Sequence, residues 1–242
     1  MNGRVRAVLR KELREFRRNK LVIGTMVALP LLFFILPMTT LLAIKADTPE
    51  AAVRTAVGSQ LLTQFLVPLI LPTIIAGYAV IGEREQGTLE PVLTTPVRHE
   101  ELLLGKALAA AIPTVSLAYG MFFLFAVVMH AAATPAVAHL VWQPARALLF
   151  ALFDPLLAAF SIWVGLAISV RSSDVRIAQQ LSALAMLPMF GLLALVTFGV
   201  LAPTVGLAVG GAAALAAIDA AAWRLVSGMF DRERLLARVG RG

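Results

Sequence analysis

The sequence predicts an all-α fold: a polytopic membrane protein of six transmembrane helices, preceded by an N-terminal amphipathic helix lying in the membrane interface. Three observations predict it. Of the 242 residues, 60% are hydrophobic and 14% are charged, and the apolar residues gather in blocks longer than a soluble core helix needs. Several of these blocks reach the ~20 residues that cross a ~30 Å hydrocarbon layer at ~1.5 Å per residue. The cations also alternate in sidedness. Eight of the 21 Lys and Arg lie in residues 1–20, three in 84–106, two in 171–178 and five from Arg224 onward, which leaves Lys45, Arg54 and Arg146 on the other side. The positive-inside rule then puts both termini in the cytoplasm, which requires an even number of spans.

The first element, residues 1–20, is a cytoplasmic amphipathic helix. On a helical wheel Val5, Val8, Leu9, Leu13 and Phe16 share one arc, and Arg6, Arg10, Lys11, Arg14, Arg17 and Arg18 occupy the other. Such a helix is expected to lie flat, with its apolar stripe in the headgroup boundary and its cations near anionic lipid. Glu12 falls inside the apolar arc, where a carboxylate needs a partner, so it is expected to pair with a neighbouring Arg or a cytoplasmic loop.

The transmembrane domain covers 21–223, with spans at 21–44, 61–82, 107–129, 147–170, 179–199 and 203–223. The first block follows basic residues, as a secretory signal does. It is longer than a signal's apolar region and no small-residue cleavage site follows, so it is read as a retained span. The break between the last two spans is short and weakly polar, and a hairpin that turns back without crossing also fits those residues. A basic cytoplasmic tail, 224–242, closes the sequence.

Inside the spans, Pro30, Pro37, Pro68, Pro72, Pro113, Pro155 and Pro188 each free a carbonyl, which gives either hinges or fixed bends. Gly206 and Gly210, followed by Gly211, form a small-residue face suited to close helix packing. Two carboxylates stand in apolar surroundings. Asp154 is expected to face protein or water and is the candidate for lining a pathway, with pairing inside the bundle as the alternative. Asp219 is expected to pair with Arg224.

The second and third spans are joined by residues 83–106, a charged cytoplasmic loop. Gly87 releases the backbone, Thr88 caps a short helix, Glu90 complements its dipole, and Leu89, Val92 and Leu93 form an apolar face at i, i+3 and i+4. Thr95 and Pro96 start a second helix, with Glu100 and Glu101 in its early turns, that runs into the third span. The first piece is therefore an apolar knob ringed by the carboxylates Glu83, Glu85 and Glu90.

The run Glu83-Arg84-Glu85, Gly87-Thr88-Leu89-Glu90, Thr94-Thr95-Pro96-Val97, Glu101, Leu103 and Gly105-Lys106 resembles the cytoplasmic loop of ABC-2 type transporter permeases, the transmembrane subunits of ABC transporters. The basic amphipathic helix with Arg10-Lys11-Glu12 before the first span, the six spans and the short tail are similar too. The resemblance implies that Glu83, Glu85, Gly87, Thr88, Leu89, Glu90, Val92 and Leu93 contact a separate ABC ATPase. It further implies that Val5, Leu9, Arg10, Lys11, Glu12, Leu13 and Phe16 belong to a connecting helix beside them. Two ATPase copies, a second permease copy or paralogue, and membrane lipid are the implied partners, with ATP and Mg bound by the ATPase and no cofactor in this chain. One departure from the family is the small outer segment between spans five and six, where many relatives fold re-entrant helices.

Other chemistry finds little support. Gly105-Lys106-Ala107 lacks both the earlier Gly and the following Ser or Thr of a phosphate-binding loop, so this chain is expected not to be an enzyme. His99, His130 and His139 are scattered without ligand spacing, no cysteine is present, and no metal site or hydrolase set is expected. The net charge of +7 sits on the membrane's inner face, which argues against nucleic acid. Three functions fit: an ATP-driven permease, an exporter as in many relatives; a secondary transporter driven by ions through Asp154; and a non-transporting scaffold or immunity protein. The expected location is the bacterial cytoplasmic membrane.

Overall fold

A computed structural model describes residues 3–85, 98–172, 174–198, 200 and 204–229. Among them the regular elements are helices: α1 (Gly3–Arg18), α2 (Lys20–Leu42), α3 (Glu50–Gln64), α4 (Leu66–Glu85), α5 (His99–Ala132), α6 (Pro135–Val141), α7 (Pro144–Arg171), α8 (Val175–Thr197) and α9 (Val205–Met229). Six are long and apolar enough to cross a membrane, with α3 and α4 counted as one interrupted crossing, Glu50–Ala76. The protein is an all-α polytopic membrane protein.

The ends of these helices follow from local chemistry. Between α1 and α2 the Asn19 side chain accepts from the Val22 N–H at 3.3 Å and so caps the first span. The second crossing begins at Glu50, eleven residues before the apolar block. α3 carries Glu50, Arg54 and Gln60 on its open sides while burying Val53, Val57 and Leu61 at a helical repeat. It is interrupted at Phe65 because Pro68 has no N–H to continue the ladder; Phe65 donates to the Leu62 carbonyl at 3.2 Å instead. α5 starts at His99, well before its apolar stretch, with the Glu101 carboxylate accepting the Arg98 N–H at 3.0 Å. Asp174 caps α8 through the N–H groups of Arg176 and Ile177, at 2.6 and 3.4 Å. The Thr204 hydroxyl accepts from the Leu207 N–H at 3.1 Å to begin α9, so the last two spans are separate helices.

Helix α7 is the hub, packing on α4, α9, α5 and α8. Its closest approach is to α4, at Gly165. A Cβ there would lie 2.9 Å from the Ala76 Cβ and 3.3 Å from the Thr73 Cα, so only glycine fits. Two apolar clusters fill the interior. One, nearer α1, joins Val22, Leu71, Ile75, Leu103, Ile162, Leu166 and Val226. The other, toward the opposite end, joins Leu41, Val57, Leu69, Phe125, Leu157 and Leu215 around Phe150, whose ring stacks between Phe65 and Phe122 at 4.2 Å from each. Val27, Leu31, Leu184, Leu187 and Leu225 point outward and exposed, as lipid-facing side chains must.

Two proline bends are held shut from a neighbouring helix. Pro37 leaves the Phe33 carbonyl without its helical donor, and the buried Gln64 side chain of α3 donates to it at 3.3 Å. Pro155 does the same to the Ala151 carbonyl, which accepts from the Tyr119 hydroxyl of α5 at 2.6 Å. The expected packing role of Gly206 and Gly210 is not seen among the described residues, where no side chain of another helix lies within 4 Å of a Cβ added at either. Gly211, one residue round, meets the Phe153 ring at 2.9 Å.

Candidate functional site

The helices place the start of the third span against the N-terminal helix. Val5, Leu9 and Glu12 of α1 are buried, and Val8, Leu13 and Phe16 are half-buried on the same face. That face packs on α5 and, more lightly, on α2. The stripe expected in the headgroup boundary is therefore covered by protein. The reason lies in α5, whose first turns project past the apolar stretch and offer Leu102, Gly105 and Lys106 as a counter-surface. At Gly105 the two helices nearly touch, since a Cβ there would sit 2.5 Å from the Val8 Cγ1.

Glu12 explains itself in this contact. Its Oε1 lies 2.9 Å from the Lys106 Nζ, and the two side chains are 3% and 1% exposed. Charge-assisted and shielded from water, this bond is stronger than a surface pair, and each group would be costly to bury alone. Lys11 adds a second cation at 3.3 Å and reaches Glu15 at 3.2 Å. Arg4 meets Glu101 at 3.6 Å one end further along. The partner of Glu12 is thus a lysine at the membrane end of the loop, not a neighbouring arginine. Two lone opposite charges on otherwise apolar faces were the sequence signal for this pair. Arg10 faces outward, away from the contact.

Glu83 and Glu85 lie in the final turns of α4, whose backbone alone is described there, and Gly87, Thr88, Leu89, Glu90, Val92 and Leu93 lie outside the described residues. The structure thus gives both flanks of the charged loop. One is the end of α4, whose body packs against α7, and the other is the start of α5, bound to α1.

A family model described as ABC-2 family transporter protein matches residues 6–219, which takes in α1, the loop and nearly all of the six crossings. The chain belongs to the ABC-2 family of transporter proteins. It is a multi-pass permease of the ABC transporter class, the transmembrane kind of subunit, and the family in general implies an ABC ATPase partner. A comparison with curated proteins gives no match.

Deeper in this permease stand the two intramembrane carboxylates. Asp154 is 1% exposed, and its Oδ1 is buried without a hydrogen-bond partner among the described residues. It lies one residue before Pro155, beside the bend that Tyr119 holds. Asp219 does not pair with Arg224; both of its carboxylate oxygens are buried without a partner among the described residues. Five residues at ~100° each turn the arginine about 140° round the helix, off the aspartate's face. Below Asp219, Trp223 packs edge-on against Trp163 with ring centroids 5.3 Å apart, which turns it inward rather than toward the headgroups. Among the described residues no group of three or more His, Cys, Asp and Glu is placed to hold a metal ion.

Proposed function

We propose that this permease is the transmembrane half of an ATP-driven exporter in the bacterial cytoplasmic membrane, with both termini in the cytoplasm. A separate ATPase, in two copies, binds ATP and Mg²⁺ and grips the 83–106 loop. The permease works with a second copy of itself or a paralogue, in contact with membrane lipid. Leu89, Val92 and Leu93 provide apolar anchorage, with Gly87 and Thr88 shaping the turn, while Glu83, Glu85 and Glu90 set orientation by charge pairing.

The observation that carries this reading is the buried Glu12–Lys106 bond, reinforced by the Gly105–Val8 approach. It makes α1 and the loop's outgoing flank one body, as a part pushed by an external motor requires. Val5, Leu9, Leu13 and Phe16 serve as its apolar seat, Lys11 supports Glu12 at its edge, and Arg10 is exposed. The test is co-purification with the cognate ATPase followed by ATP turnover. Leu89→Arg with Val92→Arg should abolish association and transport while leaving the fold intact; unchanged association would refute the coupling role.

A second reading, an ion-coupled secondary transporter, draws on the unpartnered Oδ1 of Asp154. It requires flux in reconstituted vesicles without any ATPase, lost in Asp154→Asn. In the favoured reading the same vesicles stay silent until ATPase and ATP are supplied.

A further inference from the structure

A cavity of about 220 Å³ lies among α7, α8, α9 and the α3–α4 bend, lined by Phe65, Leu149, Phe153, Met189, Leu193 and Leu215 among others. Every residue lining it is apolar. Its rim is open, with Leu192 and Ile218 exposed, so in a membrane it is hydrocarbon rather than water that has access to it. A separate, much smaller hollow of about 20 Å³ lies beside it, sharing the walls Phe65, Leu149 and Val196, and is lined by Arg146, the third residue of α7 and so at one end of the fourth crossing. The Arg146 Nη1 donates to the Leu140 carbonyl at 2.8 Å, and no carboxylate among the described residues pairs with it. Nearby Glu50 is taken by Arg54 at 2.8 Å, and Arg54 lies close enough to repel Arg146 electrostatically.

An oily cavity beside an unneutralised guanidinium has the polarity of a charged lipid turned inside out. Water gains nothing in the hollow, and a neutral chain would leave the cation without an anion. A negatively charged head on a hydrocarbon tail satisfies both ends, and guanidinium binds carboxylate and phosphate oxygens with paired hydrogen bonds. We propose that this hollow binds an anionic amphiphile, its chain in the cavity and its carboxylate or phosphate on Arg146. The site stands apart from the coupling region and holds whether the amphiphile is cargo or resident.

The test uses the full chain in neutral detergent, titrated with oleate, and the full chain in phosphatidylcholine nanodiscs with added phosphatidylglycerol, with bound molecules counted by native mass spectrometry. Saturable binding of one acidic molecule per chain is expected. Oleate binding alone would identify a free acid as the source, and phosphatidylglycerol binding alone a phospholipid. Arg146→Gln should weaken acidic binding at least tenfold and Arg146→Lys should keep most of it, while monoolein, with the same chain and no charge, should be indifferent to both. Ala214→Phe, which fills the cavity, should weaken oleate and monoolein alike, and Leu207→Trp provides a second plug from another turn of α9. Non-saturating uptake, or equal acidic binding by wild type and Arg146→Gln in proteins of equal melting temperature, would overturn the proposal.

Discussion

At the residue scale the buried bond between Glu12 and Lys106 makes the sharpest demand on the chain. Removing Lys106 leaves the buried Glu12 to its longer, 3.3 Å contact with Lys11, at a cost approaching the ~3–5 kcal/mol of a broken buried pair. Lys106→Met should therefore lower the melting temperature of the detergent-solubilised protein markedly, and adding Glu12→Leu should restore most of the loss, since two well-packed apolar side chains replace a buried pair at little net cost. Tyr119→Phe is a milder change that leaves the Ala151 carbonyl without its donor. Hydrogen bonds between membrane helices average ~0.6 kcal/mol, so a small destabilisation of that order is expected in chemical denaturation. These residues differ in legibility. Glu12 stood out in the sequence because a carboxylate sat in an apolar arc, yet its partner lay 94 positions away, and wheel geometry cannot reach that far. Tyr119 and Gln64 gave no signal of their own. Only the rule that a proline frees the carbonyl four residues earlier, applied across helices, would have pointed to them.

At the element scale the close contact inside the bundle is α4 against α7 at Gly165, second to that of α1 on α5 at Gly105. Gly165→Leu should push these helices apart and cost ~1–3 kcal/mol through overpacking. Gly210→Leu, where a Cβ meets nothing within 4 Å, should be close to neutral for the stability of the single chain. Comparing the two by thermal melt in detergent checks the assignment of packing faces. The apolar blocks point to six helices long enough to cross, because apolar length is a property of the segment alone, but they do not show that the second helix begins at Glu50, eleven residues before its block. α3 is amphipathic, and its polar residues hid a helix that only packing against neighbours reveals. Of the glycines in the small-residue stretch, Gly211 is the one packed within the chain, since spacing cannot say which side of a helix its neighbours occupy.

At the scale of the whole molecule, the absence of cysteine makes every introduced thiol a unique reporter. On the proposed orientation, with the termini in the cytoplasm, Asp47→Cys should react with a membrane-impermeant maleimide in intact cells, and Ser227→Cys only after permeabilisation. Labelling in the reverse order would invert the topology and remove the coupling reading with it. Fold class and family were both readable in the sequence, the first from apolar blocks and charge asymmetry, the second from the 83–106 run. The burial of the N-terminal helix face was not, because an amphipathic stripe fits a lipid surface and a protein surface equally well.

The cross-helix donors at the Pro37 and Pro155 bends bear on how such a bundle can change shape. A kink whose spare carbonyl is already occupied by another helix cannot straighten or fold further without giving up a bond where no water waits to replace it. Those two elbows are braced. A rearrangement that changes either bend must therefore first break a bond between two helices, which sets Pro37 and Pro155 apart from the other prolines of the spans.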